Sequence, residues 1–314
     1  MNPLASIFEA GVQVRNALYS RRLLKQRSLQ GPTVCVGNLS VGGSGKTPFV
    51  ILLGELLKQR GLAFDVLSRG YGRHSQGVLE VNPAGSAHEF GDEPLLIARK
   101  LGVPVIVGEE RYQAGVFAEH KFGPQLHILD DGFQHRALAR DFDIVLVTAE
   151  DARDRVIPAG RLREPLRALA RADAVVLASG AAADAFPLKE QQVWRVRRGI
   201  TVTGIPERPV AFCGIARPKS FLLQLEKAGI EVAAEAVYRD HHAYSEKDVA
   251  ELLALMKNSE AGGFVTTEKD AINLGGYLSA LQPLAVVPVK MELLDAATAI
   301  DTMLRIIEVR RQRT

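Results

Sequence analysis

The stretch Gly37 to Val50, GNLSVGGSGKTPFV, constrains this chain more than any other. It follows TVCVG, an apolar run that reads as a strand. It leads into TPFVILLGELLKQRG, which reads as a helix with Pro48 in its first turn and Gly61 after its end. A strand, a glycine-rich loop and a helix in that order point backbone N–H groups and the positive end of the helix at one place, which is an anion cradle. The phosphate-loop pattern is Gly, four free residues, then Gly-Lys-Ser/Thr. Gly45-Lys46-Thr47 fits its tail, whereas Ser40 holds the leading glycine position. With Gly42, Gly43 and Gly45 nearby, the loop can still bring its backbone close to phosphate. Ser40, Val41, Gly42, Gly43, Ser44, Gly45, Lys46 and Thr47 are therefore expected to hold a nucleotide, Lys46 reaching the β and γ phosphates and the Thr47 hydroxyl ligating magnesium. The rival is a glycine-rich turn that binds nothing.

The rest of the chain repeats the alternation of strand and helix. FDVLS (64–68), VPVIVG (103–108), LHILDD (126–131), FDIVLVT (142–148) and ADAVVLAS (172–179) are continuous apolar runs. Such runs mark strands covered on both faces, so the expected class is α/β, a P-loop NTPase-like parallel sheet with helices on both faces. Regularity weakens near residue 200. A second series then begins, with RPVAFCGI, EVAAEAVY, GGFVTTEKD and LAVVPVK as strands and helical stretches between them. The chain's 314 residues allow two domains. The expected parts are an N-terminal basic amphipathic helix (1–30), a P-loop domain (31–200) and a smaller C-terminal α/β domain (201–314).

Two cysteines, Cys35 and Cys213, lie far apart in apolar runs, which suits buried thiols and argues against a disulfide scaffold or a cysteine zinc site. The net charge of +3 is unevenly placed. Residues 1–31 hold five basic side chains against Glu9 alone, or +4, so the remainder sums to −1. The N-terminal segment has no apolar run of the roughly 18 residues needed to cross a bilayer, and it lacks the layout of a secretory signal. Leu4, Ile7, Phe8, Gly11, Val12 and Leu18 fall at helical spacing, with basic residues crowding the far end. Such a helix can lie on an anionic membrane surface or dock on its own protein core, since the pattern serves both.

Loops that follow parallel strands gather at one rim of the sheet, where ligands bind. LHILDDGFQH ends an apolar strand in Asp130-Asp131, and paired with the glycine loop these carboxylates are candidates to hold Mg²⁺. Gln134 and His135 follow within one turn and can face the same cleft, or be surface residues. SRGYGR carries Arg69, Tyr71 and Arg73 among glycines, a composition suited to an anionic ligand, with a solvated basic loop as the rival. GEERYQAG adds Arg111, and PAGRLREPL adds Arg161, Arg163 and Glu164. Asp92 in FGDEP has the carboxylate a kinase uses beside an attacking hydroxyl, but by itself it also reads as a turn or helix cap. In RDHHAY, His241 and His242 point in different directions on any regular element, so at most one serves a given site.

Taken in order, VGNLSVGGSGKTP, LSRGYGR, GDEP, LDDGFQHR, IPAGRLREPL, FCGIARPKSF, DHHAYSEKD and TTEKDAINL resemble one family, the tetraacyldisaccharide 4'-kinases of lipid A biosynthesis. The resemblance spans residues 36–274. It implies transfer of the γ-phosphoryl group of ATP, with Mg²⁺, to the 4'-hydroxyl of a tetraacylated glucosamine disaccharide 1-phosphate. It also implies a peripheral enzyme on the cytoplasmic face of the inner membrane of a Gram-negative bacterium, with two α/β/α domains around a cleft. Carried onto matching positions, Lys46 and Thr47 bind ATP and metal, and Asp130, Asp131 and Glu164 lie near the metal or phosphates. Asp92 is the base, assisted by His241. Arg69, Tyr71, Arg111, Gln134 and His135 become candidate substrate contacts.

Two other readings use the same glycine loop. One is a membrane-recruited nucleotide switch acting through a protein partner, which would need neither Asp92 nor His241. The other is a kinase or ligase for a soluble metabolite, which the basic N-terminal helix disfavours. The expected partners are the lipid substrate and a membrane surface met through the N-terminal helix, with neither nucleic acid nor an obligate protein partner.

Overall fold

The computed structural model describes residues 3–178 and 180–313. Met1, Asn2, Ser179 and Thr314 lie outside them, so the start of the 1–30 segment and the last residue of the ADAVVLAS strand are not described. In chain order the elements are α1 (Pro3–Ser20), β1 (Thr33–Asn38), α2 (Lys46–Gln59), β2 (Phe64–Ser68), β3 (Leu79–Glu80), α3 (Ala87–Phe90), α4 (Asp92–Leu101), β4 (Val105–Val107), α5 (Arg111–Phe122), β5 (Leu126–Asp130), β6 (Phe142–Val147) and β7 (Ala174–Leu177). They continue as β8 (Gln192–Ile200), β9 (Val210–Cys213), α6 (Pro218–Lys227), β10 (Ala234–Val237), α7 (Glu246–Asn258), β11 (Phe264–Thr267), α8 (Glu268–Leu274), β12 (Leu284–Val287), β13 (Val289–Leu293) and α9 (Ala296–Arg311).

Among the described residues nine strands form one sheet in the order β13-β8-β7-β6-β1-β5-β2-β4-β3. Every pairing is parallel except at the two edges, where β3 runs against β4 and β13 against β8. Alternate side chains of a strand face opposite sides, and here each side meets its own apolar cluster. Val34 and Val36 of β1 pack with Phe49, Leu53 and Ile97 on one face, while Cys35 packs with Ala114, Leu129 and Phe133 on the other. That two-sided burial is why these strands read as unbroken apolar runs. A second sheet, β10-β9-β11-β12, is wholly parallel.

The C-terminal unit differs from the expected 201–314. LAVVPVK is two strands divided at Pro288: β12 lies in the small sheet, and β13 returns to pair with β8 of the large one. Proline has no N–H to give to a ladder, so the run breaks there. Helix α9 follows β13 back, and Ile300, Met303 and Ile307 bury in the cluster of the large sheet.

The N-terminal segment is helical, but over Pro3–Ser20 only, and the basic residues Arg21, Arg22, Lys25 and Arg27 lie beyond its end. The helix buries none of its residues. Its polar side touches the body: Glu9 pairs with Arg167 at 2.5 Å, Asn16 Nδ2 donates to Glu164 at 2.6 Å, and Arg136 donates to the Asn16 carbonyl at 2.8 Å. Among the described residues no helix is long and apolar enough to cross a membrane.

Candidate active site

The glycine loop leaves the C-terminal end of β1 at the centre of the large sheet. Gly42, Gly43 and Gly45 have φ of +75°, +60° and +90°, in the left-handed region that favours glycine. Ser40 needs no such freedom. It is fully buried and bridges to Leu162, with Asn38 Nδ2 donating to its carbonyl at 2.7 Å. On either side of it, Val41 N donates to Arg161 O and Arg163 N to Leu39 O. The first position of the phosphate pattern is therefore spent on extended pairing with the 155–163 loop, and a serine fits there.

Helix α2 starts at Lys46, directly after Gly45, so its unpaired N–H groups face the loop. Lys46 Nζ lies 3.1 Å from Asn38 Oδ1 and 3.5 Å from Asp131 Oδ1. Residues 41–47 line a cavity of about 1120 Å³ shared with Arg69, Tyr71, Arg111, Asp130, Asp131, Gln134, His135 and His241.

Asp130 and Asp131 stand at the end of β5, and their charges differ. Asp130 is buried, with Oδ2 accepting from Ser68 Oγ at 3.0 Å and Oδ1 buried without a partner among the described residues. Burial, then the nearby charges of Glu93 and Asp131, push its pKa up to about 7. Burial also opposes the charge of Asp131, but Lys46 and Arg163 hold its pKa below the ordinary carboxylate value. A partnerless buried carboxylate oxygen lining one cavity with the Thr47 hydroxyl is the kind of oxygen donor set that a hard divalent cation takes, so these residues fit Mg²⁺.

Glu164 makes its bonds inside the protein. The resemblance implies a place near the metal or phosphates, yet the structure buries it completely, outside the cavity wall. Its two oxygens accept from Arg171 at 2.8 and 3.0 Å, from Asn16 at 2.6 Å and from Gln134 at 3.2 Å. A carboxylate so engaged ties α1 to the body.

Asp92 and His241 come together across the cleft. Asp92 is the first residue of α4 and His241 follows β10, yet His241 Nδ1 lies 2.8 Å from Asp92 Oδ2. Asn273 Nδ2 donates to the same oxygen at 3.1 Å, and Lys269 Nζ lies 3.7 Å from it. Burial opposes the Asp92 charge, but His241, Lys269 and Asn273 outweigh it and keep its pKa below the ordinary value. Burial likewise opposes a charged His241, and its bond to Asp92 outweighs that, so its pKa is raised. The His241 backbone has φ of +57°, an uncommon conformation for a non-glycine residue. His242 points elsewhere, stacked on Tyr238 with centroids 4.6 Å apart.

On the same side of the cavity lies a basic group. Arg111 is 6% exposed, its Nη1 donating to Glu109 O, and burial together with Arg69 lowers its pKa to about 10. Burial and then Arg111 lower the pKa of His135 to about 4, so it is neutral. Tyr71 is well exposed beside His241, with ring centroids 5.2 Å apart. Gln134 reaches the wall, but its amide is engaged by Asn38 O, Glu164 and Arg163. Sequence reasoning gave no role to Lys269, Asn273, Ser68, Arg198 or Arg217, although TTEKDAINL, SRGYGR and FCGIARPKSF contain four of them.

A phosphate loop beginning a helix, carboxylates at the end of the neighbouring strand and a hydrogen-bonded Asp–His pair whose histidine lines the same cavity define a P-loop phosphotransferase. The family model described as tetraacyldisaccharide-1-P 4'-kinase (LpxK) matches residues 1–308. A tetraacyldisaccharide 4'-kinase of Koribacter versatilis is 52% identical, covering 99% of this chain and all of the relative. One from Geobacter metallireducens is 38% identical over 95% of each chain. The solved structure of "apo" form LpxK from Aquifex aeolicus in complex with ATP superposes with a TM-score of 0.80 at 36% identity, covering 97% of this chain and 98% of that one. This chain belongs to the tetraacyldisaccharide-1-phosphate 4'-kinase family.

Proposed function

We propose that this protein transfers the γ-phosphoryl group of ATP to the 4'-hydroxyl of a tetraacyldisaccharide 1-phosphate, giving the 1,4'-bisphosphorylated lipid A precursor. The observation that carries the reading, in a chain of this family, is the Asp92–His241 pair, whose His241 lines the same cavity as the glycine loop. A nucleotide switch has no use for that pair.

The loop N–H groups, Lys46 and the start of α2 hold the triphosphate. Thr47, Asp130 and Asp131 would hold Mg²⁺, which when bound neutralises charge on the β and γ phosphates. Asp92 accepts the proton of the 4'-hydroxyl as its oxygen attacks the γ phosphorus, the bond to the β-phosphate oxygen breaks and ADP leaves. The Asp92 carboxylate is a weak base, so its contribution is position: His241, Lys269 and Asn273 fix which oxygen faces the acceptor. Arg69 and Arg111 contact the anionic acceptor, with Tyr71 and the neutral His135 beside them.

The lipid stays in a bilayer, so the protein works at the membrane surface, peripherally on the cytoplasmic face of the inner membrane. Helix α1 supports this by its orientation. Glu9 and Asn16 face the body, while Ile7 and Val14, about 160° around the helix axis, are 69% and 60% exposed. A helix that docks by its polar side and turns its apolar side outward suits insertion between headgroups. Arg21, Arg22, Lys25 and Arg27 follow directly and suit anionic lipid.

The test is incubation of purified protein with labelled ATP, Mg²⁺ and tetraacyldisaccharide 1-phosphate in detergent micelles. Labelled bisphosphorylated lipid is expected. ATP hydrolysis without labelled lipid overturns the reading.

A further inference from the structure

The strand order divides the cavity. On one flank of the glycine loop lie β5, β2 and β4, which bring Asp130, Asp131, Ser68, Arg69 and the Arg111 loop. The other flank is β6, β7, β8 and β13, which brings Arg198 of β8 and Met291 of β13, register partners across the edge of the sheet. The Asp92–His241 pair and its basic neighbours sit toward the first flank, and the function above gives nothing to the second.

Two arginines lie against the loop on that second flank. A Cβ at Gly45 would come within 4.0 Å of Arg198 Nη1 and 3.3 Å of Met291 Cε. At Gly43 it would lie 2.7 Å from Arg217 Cγ and 3.0 Å from Arg217 Nε. The glycines thus let two guanidinium side chains approach the backbone that cradles phosphate. Arg217 comes from the segment between β9 and α6, so the two arginines reach the loop from different sheets.

Neither charge has a full counterpart. Among the described residues the Arg198 side chain makes no hydrogen bond or ion pair, and its Nε is buried without a partner. Burial, then the Arg217 charge, lowers its pKa from the ordinary value. Among the described residues Arg217 Nε is also buried and unpartnered, and its Nη2 makes only long contacts, 3.4 Å to Thr148 Oγ1 and 3.7 Å to Glu150. Glu150 is itself largely exposed and already held by Arg161 at 2.8 Å. Partly buried guanidinium groups that repel each other are costly by themselves, and a polyanion gripped by both relieves the cost.

We propose that Arg198 and Arg217 form a guanidinium clamp on the polyphosphate of the bound nucleotide, on the flank of the glycine loop away from the acceptor. The clamp rests on the ATP-dependent reading above. It makes nucleotide affinity depend on phosphate number, and through Arg217 it links the small sheet to nucleotide occupancy.

The experiment is calorimetric titration of ATP, ADP and AMP, with Mg²⁺ and without lipid, into full-length wild-type protein and the variants Arg198→Gln, Arg217→Gln and Arg198→Lys. Each Gln variant is expected to raise the ATP Kd about tenfold or more, the scale of a lost charge-assisted bond. The AMP Kd should change much less, Arg198→Lys should recover part of the ATP affinity, and melting temperatures should stay near wild type. Wild-type ATP binding with both Gln variants within twofold overturns the clamp alone, as does an equal loss for AMP and ATP. Absence of ATP binding by the wild type overturns the clamp together with the kinase reading.

Discussion

His241 Nδ1 and Asp92 Oδ2 are 2.8 Å apart, and the two residues belong to elements of different sheets, α4 beside the large one and the loop after β10 of the small one. The Asp92 carboxylate is therefore placed by contacts between the two units: His241, Lys269 and Asn273 all arrive from the small-sheet side.

Replacing Asp92 with Asn keeps the shape and removes the proton acceptor. Lipid kinase kcat is expected to fall by about 10²-fold or more, the usual scale for a positioned acid–base group. ATP affinity should stay within a few-fold. Steady-state kinetics with labelled ATP checks both, and near wild-type kcat removes Asp92 from the reaction.

Glu164 and Asp130 separate under a second test. Glu164→Gln leaves Arg171 with a weaker partner inside the protein, so a loss of about 1–3 kcal/mol of stability is expected. Its Mg²⁺ requirement should remain unchanged. Asp130→Asn removes a buried carboxylate whose pKa is already raised to about 7. It should leave the melting temperature unchanged or higher and raise the Mg²⁺ concentration for half-maximal activity tenfold or more. Equal Mg²⁺ shifts in the two variants would return Glu164 to the metal.

The glycine loop was legible because its signal is local: strand, turn and helix lie within about 25 residues and each has its own residue preferences. Asp92 was not legible by its own chemistry. Its partners lie 149 to 181 residues away, so only the resemblance distinguished it from a turn or cap residue; within its own helix its Oδ1 accepts only from the adjacent Glu93 N–H. Lys269 and Asn273 carried no signal, being a lysine and an asparagine on a short helix. The return of β13 to the large sheet had one, Pro288, whose missing N–H divides LAVVPVK. Its pairing with β8 joins residues about 90 positions apart, a contact no periodicity reveals. Glu164 had only the resemblance to assign it, because an acidic residue in the loop between β6 and β7 reads alike whether it meets a metal or an arginine.

Membrane attachment is tested best by point changes, because removing α1 also removes the bonds of Asn16 to Glu164 and of Arg136 to the helix. Ile7→Gln with Val14→Gln is expected to weaken sedimentation with anionic vesicles about tenfold or more, from the transfer energy of two apolar side chains. Turnover of micellar substrate should be kept. Changing Arg21, Arg22 and Lys25 to Gln should instead remove most of the salt dependence of binding, since charge attraction is screened. Unchanged vesicle binding in both variants rules out α1 and its basic tail as the anchor.

A buried histidine at the opposite end of the sheet gives a pH dependence of stability separate from the active site. His127 of β5 is fully buried, its Nδ1 2.9 Å from Asp65 Oδ2 and its Nε2 3.3 Å from Glu119 Oε1. Burial opposes its charge, but hydrogen bonding and attraction to Asp65 and Glu119 outweigh burial and raise its pKa. The charged form is thus favoured more in the folded than in the unfolded chain. That contribution is complete below the unfolded value, about 6.5, and is lost as pH rises through the higher folded value. His127→Gln cannot carry the charge. The melting-temperature difference between wild type and this variant is therefore expected to be largest near pH 6 and to narrow toward pH 9. A difference that stays constant, or widens with pH, would show that His127 is neutral in the folded protein.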